Sequence, residues 1–213
     1  MGKMNLKDMS LAAIFAVSYN LVYRLVATVL PEIFENCGAV AIAYFISIAA
    51  TSIIMLFFIA FRKQFIEESR LSKAATFGII GSASALLPRL FTLSTFLGKS
   101  IRLPWFGYVQ ATLLLIGSIA ILLFFAIVYR EFVAKWNVAT RNAALAALIG
   151  SALSTIPIAA SAVNLYSKGA LVGSVNHMAP YVVALLIAIQ IFATATIINF
   201  FVKIRSACVV KQR

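Results

Sequence analysis

The sequence predicts an all-α, polytopic integral membrane protein of six transmembrane helices, and three observations carry that reading. Of the 213 residues, 63% are hydrophobic and only 11% charged, with a mean hydropathy of +1.02. A water-soluble domain of this size has too much surface for its volume to hide that much apolar material. The apolar residues also fall into blocks of about 20 or more, the length that crosses roughly 30 Å of hydrocarbon as helix. Finally, Lys and Arg concentrate in alternate connections between those blocks, which is how membrane helices are oriented.

The spans are expected near 10–30, 37–61, 74–97, 105–129, 142–165 and 178–202, within one transmembrane helical domain covering 1–213. The first runs from Ser10 to Pro31 and lacks a small-residue cleavage site before a polar segment, so it reads as a retained span rather than a removed leader. The second begins at Cys37 and stops at Arg62; the third follows Lys73 and contains Pro88. Trp105 enters the fourth as an interface anchor, and Arg130 ends it. The fifth follows Arg141 and contains Pro157, and the sixth lies between His177 and Lys203. Each proline removes a helical hydrogen bond, and the freed carbonyl must meet a neighbouring helix, water or ligand. Pro88 and Pro157 therefore read either as binding-site breaks or as kinks that merely shape the bundle.

Thirteen Lys and Arg fall before span one, in the links 62–73 and 130–141, and after span six, against Lys99, Arg102 and Lys168 on the other side. This places both termini in the cytoplasm and the chain in the cell (inner) membrane. The net charge of +12 is thus a topology signal facing anionic lipid head groups, not a nucleic-acid surface. Either basic link has room for a short amphipathic surface helix, although a solvated turn is the simpler expectation; in the first, Lys63, Glu67 and Arg70 are spaced to meet on a helix. Cys37 and Cys208 fall on opposite sides and cannot pair, and two lone cysteines indicate neither a disulfide scaffold nor a metal cluster.

Two stretches resemble each other internally. Ile80-Gly-Ser-Ala83 precedes Pro88 as Ile149-Gly-Ser-Ala152 precedes Pro157, and Phe57-Phe58 ends its span as Phe124-Phe125 does. Spans 2–3 and 4–5 are therefore candidate duplicated hairpins, against the alternative that two low-complexity hairpins look alike by chance.

Polar residues within the spans are the functional clue. Arg24 lies about seven residues before the outer end of span one and Arg89 about nine before that of span three, with no Asp or Glu inside any span. An arginine at that depth costs several kcal/mol unless it snorkels, pairs or faces a polar cavity. Glu32 and Glu35, at the outer end of span one, are the only nearby carboxylates, and two under-neutralised guanidinium groups favour an anionic or carbonyl-rich ligand, to which arginine offers a rigid fork of donors. Asn20, Gln110, Asn164, Asn176 and His177 share the outer half, so the set reads as an outward-opening substrate pocket, with Tyr19, Tyr23, Phe91, Trp105 and Tyr108 as candidate aromatic walls. The competing reading makes the same side chains hydrogen-bonding glue between helices. No catalytic set is visible: His177 is the sole histidine, and Gly81-Ser-Ala-Ser84 lacks the glycine that follows an intramembrane serine nucleophile. Neither a resident cofactor nor a metal is expected. There is no phosphate-binding glycine loop, so any energy source is an ion gradient or a partner.

Ala12 and Ala16 stand four apart on one face of span one, a spacing that admits a second helix closely. The surrounding stretch, Met4-Asn-Leu-Lys-Asp-Met-Ser-Leu-Ala-Ala-Ile-Phe-Ala16, resembles the start of the substrate-binding S components of energy-coupling factor transporters. That resemblance implies six helices with cytoplasmic ends, capture of a vitamin or similar micronutrient near the outer face, and contact of Ala12 and Ala16 with a transmembrane coupling subunit driven by ATPases. A small-solute transport or substrate-binding subunit is thus the leading expectation. The alternative is a structural or assembly protein of the cell envelope without a small-molecule substrate.

Overall fold

A computed structural model describes residues 5–29, 37–96, 105–135, 138–168 and 180–210. They form six long helices: α1 (Leu6–Val29), α2 (Cys37–Gln64), α3 (Ser69–Phe96), α4 (Phe106–Lys135), α5 (Val138–Lys168) and α6 (Pro180–Val210). All six are long and apolar enough to cross a membrane, and the chain is a multi-pass membrane protein. The helices overrun the expected spans mainly at the end that carries Lys7, Arg62, Lys73, Arg130 and Lys203, here called the basic end. Charged residues there continue the helix beyond the hydrocarbon, because an amide backbone stays best satisfied by its own helix until it reaches water.

Helix boundaries follow local chemistry. Asn5 caps α1: its side-chain oxygen accepts from the Lys7 amide at 3.1 Å, and Asp8 lies in the first turn, where a negative charge complements the helix dipole. The first basic link is a turn, closed by the Glu68 amide donating to the Phe65 carbonyl at 3.0 Å. The second leaves no length for a surface helix, because α4 ends at Lys135 and α5 starts at Val138. Arg70 pairs across to Glu131 of α4 at 3.0 Å rather than along its own link. Both α3 and α5 run unbroken through Pro88 and Pro157.

Each helix packs against its neighbours in sequence, and α1 packs against α6, so the six close into an up-and-down ring. Alternate helices stand too far apart for extensive backbone packing. At the basic half, large side chains fill the axis instead. Phe57 and Phe58 of α2, Phe124 and Phe125 of α4, and Phe200 and Phe201 of α6 are all buried. Their rings meet mostly edge to face, with Phe58–Phe124 at 4.8 Å, Phe125–Phe200 at 5.1 Å and Phe57–Phe201 at 4.6 Å between centroids. Edge-to-face geometry aims the positive rim of one ring at the negative face of the next, adding about 0.5–1.5 kcal/mol per pair. In lipid, packing of this kind rather than expulsion of water holds helices together. Gly78 of α3 makes room for it, since a β-carbon there would run into the Phe58 ring.

A third buried phenylalanine pair, Phe200-Phe201 of α6, can be set in register with Phe57-Phe58 and Phe124-Phe125, so the similarity read over spans 2–3 and 4–5 extends to an alignment of α1–α2, α3–α4 and α5–α6. On the odd helices, Leu6, Leu71 and Thr140 are equivalent, as are Ser10, Ala75 and Ala144, then Ala13, Gly78 and Ala147, then Ala16, Gly81 and Gly150; every one is buried. On the even helices one register aligns Thr51, Ser118 and Thr194, then Ile54, Ile121 and Ile197, then the phenylalanine pairs, and then buried Phe61, Val128 and Ile204. A repeated helical pair has one face that needs a neighbour on each side, and three copies satisfy that by closing on themselves.

Candidate functional site

Above the phenylalanine cluster the ring holds a partly open cavity of about 230 Å³. Its walls come from five helices: Val17, Asn20, Leu21 and Arg24 of α1; Thr51, Ile54 and Phe58 of α2; Gly81, Ser82, Ala85 and Arg89 of α3; Ile121 and Phe125 of α4; and Thr194, Ile197 and Phe201 of α6. The threefold register arranges these in layers. Phe58, Phe125 and Phe201 form the floor, and Ile54, Ile121 and Ile197 lie one turn above them. The hydroxyls of Thr51 and Thr194 come next, followed towards the far end by Asn20 and the two arginines. α5 contributes nothing to the lining, and its position equivalent to Arg24 and Arg89 is Ile158.

A hydrogen-bond chain fixes the polar wall. Arg89 Nη1 donates to Thr51 Oγ1, Thr51 Oγ1 donates to the Ser47 carbonyl at 2.8 Å, and Ser47 Oγ donates to Asn20 Oδ1 at 3.1 Å. Three helices are tied together by these bonds, with Ser47 and Thr51 buried. With its oxygen engaged by Ser47, the Asn20 amide keeps its NH₂ group as a further donor. Arg24, one turn beyond Asn20, also lines the cavity. No acidic side chain is among the lining residues.

Of the residues proposed from sequence as substrate-binding, Asn20, Arg24 and Arg89 converge on this cavity. Gln110 and Asn164 do not line it; they lie on α4 and α5, near a separate cluster in which Tyr166 stacks at 5.3 Å from Tyr108 and shares a hydrogen bond with Thr112. Asn176 and His177 fall outside the described residues. The aromatic walls are also different from those expected. Tyr19 donates to the Ala43 carbonyl at 3.3 Å and Tyr23 packs edge-on against Tyr44 at 6.2 Å, both between α1 and α2, while Phe91 packs on Phe106 at 5.8 Å. The cavity is lined instead by phenylalanines of the even helices.

Sequence reasoning passed over Ser47, Thr51, Ser82 and Thr194, since a hydroxyl bonded to its own helix backbone is unremarkable in a span. Three of these recur at repeat-equivalent or neighbouring positions, which is the signal that identifies them. Of the alanine pair proposed as a partner contact, Ala16 is buried and Ala12 is partly exposed. Among the described residues, no three His, Cys, Asp or Glu side chains come together in a way that could hold a metal ion. The chain matches no protein-family model, and neither a curated protein nor a solved structure is similar to it.

Proposed function

We propose that the protein is a small-solute transport protein or the substrate-binding subunit of one, without enzymatic activity, and that the axial cavity is its solute site. The observation that carries this reading is an axial cavity in which Asn20, Arg24 and Arg89 meet above an apolar floor, with no acid among its described lining residues. Arg89 is bonded to the neutral Thr51 hydroxyl, and its charge within hydrocarbon is costly to keep unless water or a ligand also meets it. The residue types suit an anionic solute, such as an anionic micronutrient, with Asn20 and Thr51 as further polar contacts. The basic end faces the cytoplasm by the positive-inside rule, so the arginine layer lies on the outer side of the phenylalanine floor. The amino-terminal likeness to S components adds a transmembrane coupling subunit with ATPases as the partner to look for.

A structural or assembly role is favoured by one observation of its own: Arg89 already has a protein acceptor in Thr51, as interhelical glue would. Affinity purification in mild detergent from native membranes, with mass spectrometry of proteins and retained small molecules, separates the two. A retained solute or a coupling subunit with ATPases supports transport. Envelope-assembly proteins with an empty cavity support the structural role.

A further inference from the structure

We infer that the stacked phenylalanines are a permeability seal: the cavity exchanges with water only at its arginine end, and the ring axis is not itself a path across the membrane. The inference goes beyond the solute-site reading and does not depend on what occupies the cavity. Its first ground is how the axis is closed. The even helices α2, α4 and α6 are not neighbours in the ring, yet each reaches both of the others through phenyl rings. Phe58 meets Phe124, Phe125 meets Phe200 and Phe57 meets Phe201, at 4.8, 5.1 and 4.6 Å between centroids. These contacts form the three sides of a triangle about the axis, and all six rings are at most 2% exposed.

The seal is also deep. One turn nearer the basic end Phe61 packs on Phe124 at 5.5 Å, and Val128 and Ile204 at the equivalent positions are fully buried. On α2 the buried rings run from Phe57 to Phe65, about 12 Å at 1.5 Å per residue. A buried water needs several polar partners, and the stack offers only rings and aliphatic groups. Ser10, between the core residues Leu6 and Ala13 of α1, already donates its hydroxyl to the Leu6 carbonyl at 2.7 Å. An apolar constriction of this kind excludes water and ions by dewetting. The second ground is exposure along the cavity. Phe58, Phe125 and Phe201 are buried at one end, whereas at the other Asn20 and Arg89 are partly exposed and Arg24 is exposed. A solute held in the cavity therefore enters and leaves by the arginine end, and reaches the basic end only if the even helices part.

The test is the labelling of single cysteines in the full chain, in sealed right-side-out and inside-out vesicles, after Cys37→Ser and Cys208→Ser remove the native thiols. The probe is a membrane-impermeant, sulfonate-bearing methanethiosulfonate, with the permeant N-ethylmaleimide for comparison. Lys63→Cys, exposed at the basic end, reports which vesicle face is which. Thr194→Cys and Ile197→Cys place a thiol in the cavity, and Ile204→Cys places one inside the stack, with Val128→Cys as its equivalent on α4 should that variant fail to fold. The two cavity thiols are expected to react at least tenfold faster from the face opposite Lys63→Cys. The thiol of Ile204→Cys is expected to react at least a hundredfold more slowly, from either face, than that of Lys63→Cys from its own. Comparable rates for Ile197→Cys from both faces, or ready reaction of Ile204→Cys with the sulfonate, overturn the seal. Cavity thiols that react with N-ethylmaleimide alone overturn the opening at the arginine end, because the cavity then faces the bilayer. If labelling runs as expected and purification retains no solute, the seal stands and the solute-site reading falls by itself.

Discussion

Replacing Arg89 by leucine distinguishes an arginine kept for a ligand from one kept for the fold. Arg89 lies seven residues from the end of α3, about 10 Å from that end along the helix, so the charge is well inside the span. A charged side chain near the centre of a membrane helix costs roughly 2.5–3.5 kcal/mol on insertion scales. The hydrogen bond to Thr51 returns about 1.5–3 kcal/mol, the range for a bond to a charged group. The difference leaves the arginine neutral to about 2 kcal/mol unfavourable in the empty protein. After the substitution Thr51 still donates to the Ser47 carbonyl at 2.8 Å, so its hydroxyl proton keeps an acceptor. Arg89→Leu should therefore leave the unfolding free energy unchanged or raise it by up to about 2 kcal/mol, measured by SDS titration in mixed micelles without ligand. The same variant should lose the stabilisation that a solute retained in the cavity gives wild type, about 2.7 kcal/mol at a hundred times its dissociation constant. A loss of more than about 1 kcal/mol without ligand would refute the reasoning, because it would mean that the fold depends on the arginine.

Phe124→Ala should be far more damaging. Phe124 is fully buried and meets Phe58, Phe61 and Phe200 across the axis, so a loss of about 3–5 kcal/mol is expected in the same titration. Gly78→Val places two methyl groups where the Phe58 ring lies and should cost at least about 1–3 kcal/mol; a double variant with Phe58→Leu should recover part of that loss. Thr51→Val removes the acceptor that holds Arg89 and should weaken binding of a solute retained in the cavity several-fold, with a stability loss of about 1–3 kcal/mol for the unpaired donor. Glu131→Gln should cost less than about 1 kcal/mol, since its partner Arg70 is 69% exposed, and raised salt should shrink the difference further.

How much of the site could be read in advance depends on the kind of residue. Arg24, Arg89 and Asn20 stand out because polar groups in an apolar block demand a reason, and one turn separates Asn20 from Arg24 whatever the tertiary structure. Their meeting place does not follow from depth alone. Gln110 and Asn164 share the same depth but are not among the lining residues. Depth fixes a coordinate along the membrane normal, whereas cavity membership needs the rotation of each helix and the order of helices round the ring. None of these helices has a strongly polar face from which rotation could be read, because in lipid both faces of a span are apolar.

The repeat shows the same division. Two phenylalanine pairs followed by similar turns are visible as a pattern, but the third, Phe200-Phe201, is followed by Val-Lys-Ile-Arg and looks like any apolar stretch meeting a basic tail. Only the shared burial of all six rings marks it as equivalent. By itself the sequence determined that the chain crosses a membrane six times, the approximate spans and the depth of each polar residue, because span length and the cost of charge in hydrocarbon act on each segment separately. The tertiary structure decided the closure of α1 on α6, the phenylalanine floor and the choice of Thr51 as the partner of Arg89. Those depend on side chains 38 or more residues apart meeting across the axis, and in lipid such meetings are selected by shape and hydrogen bonding, not by an apolar stripe that the sequence displays.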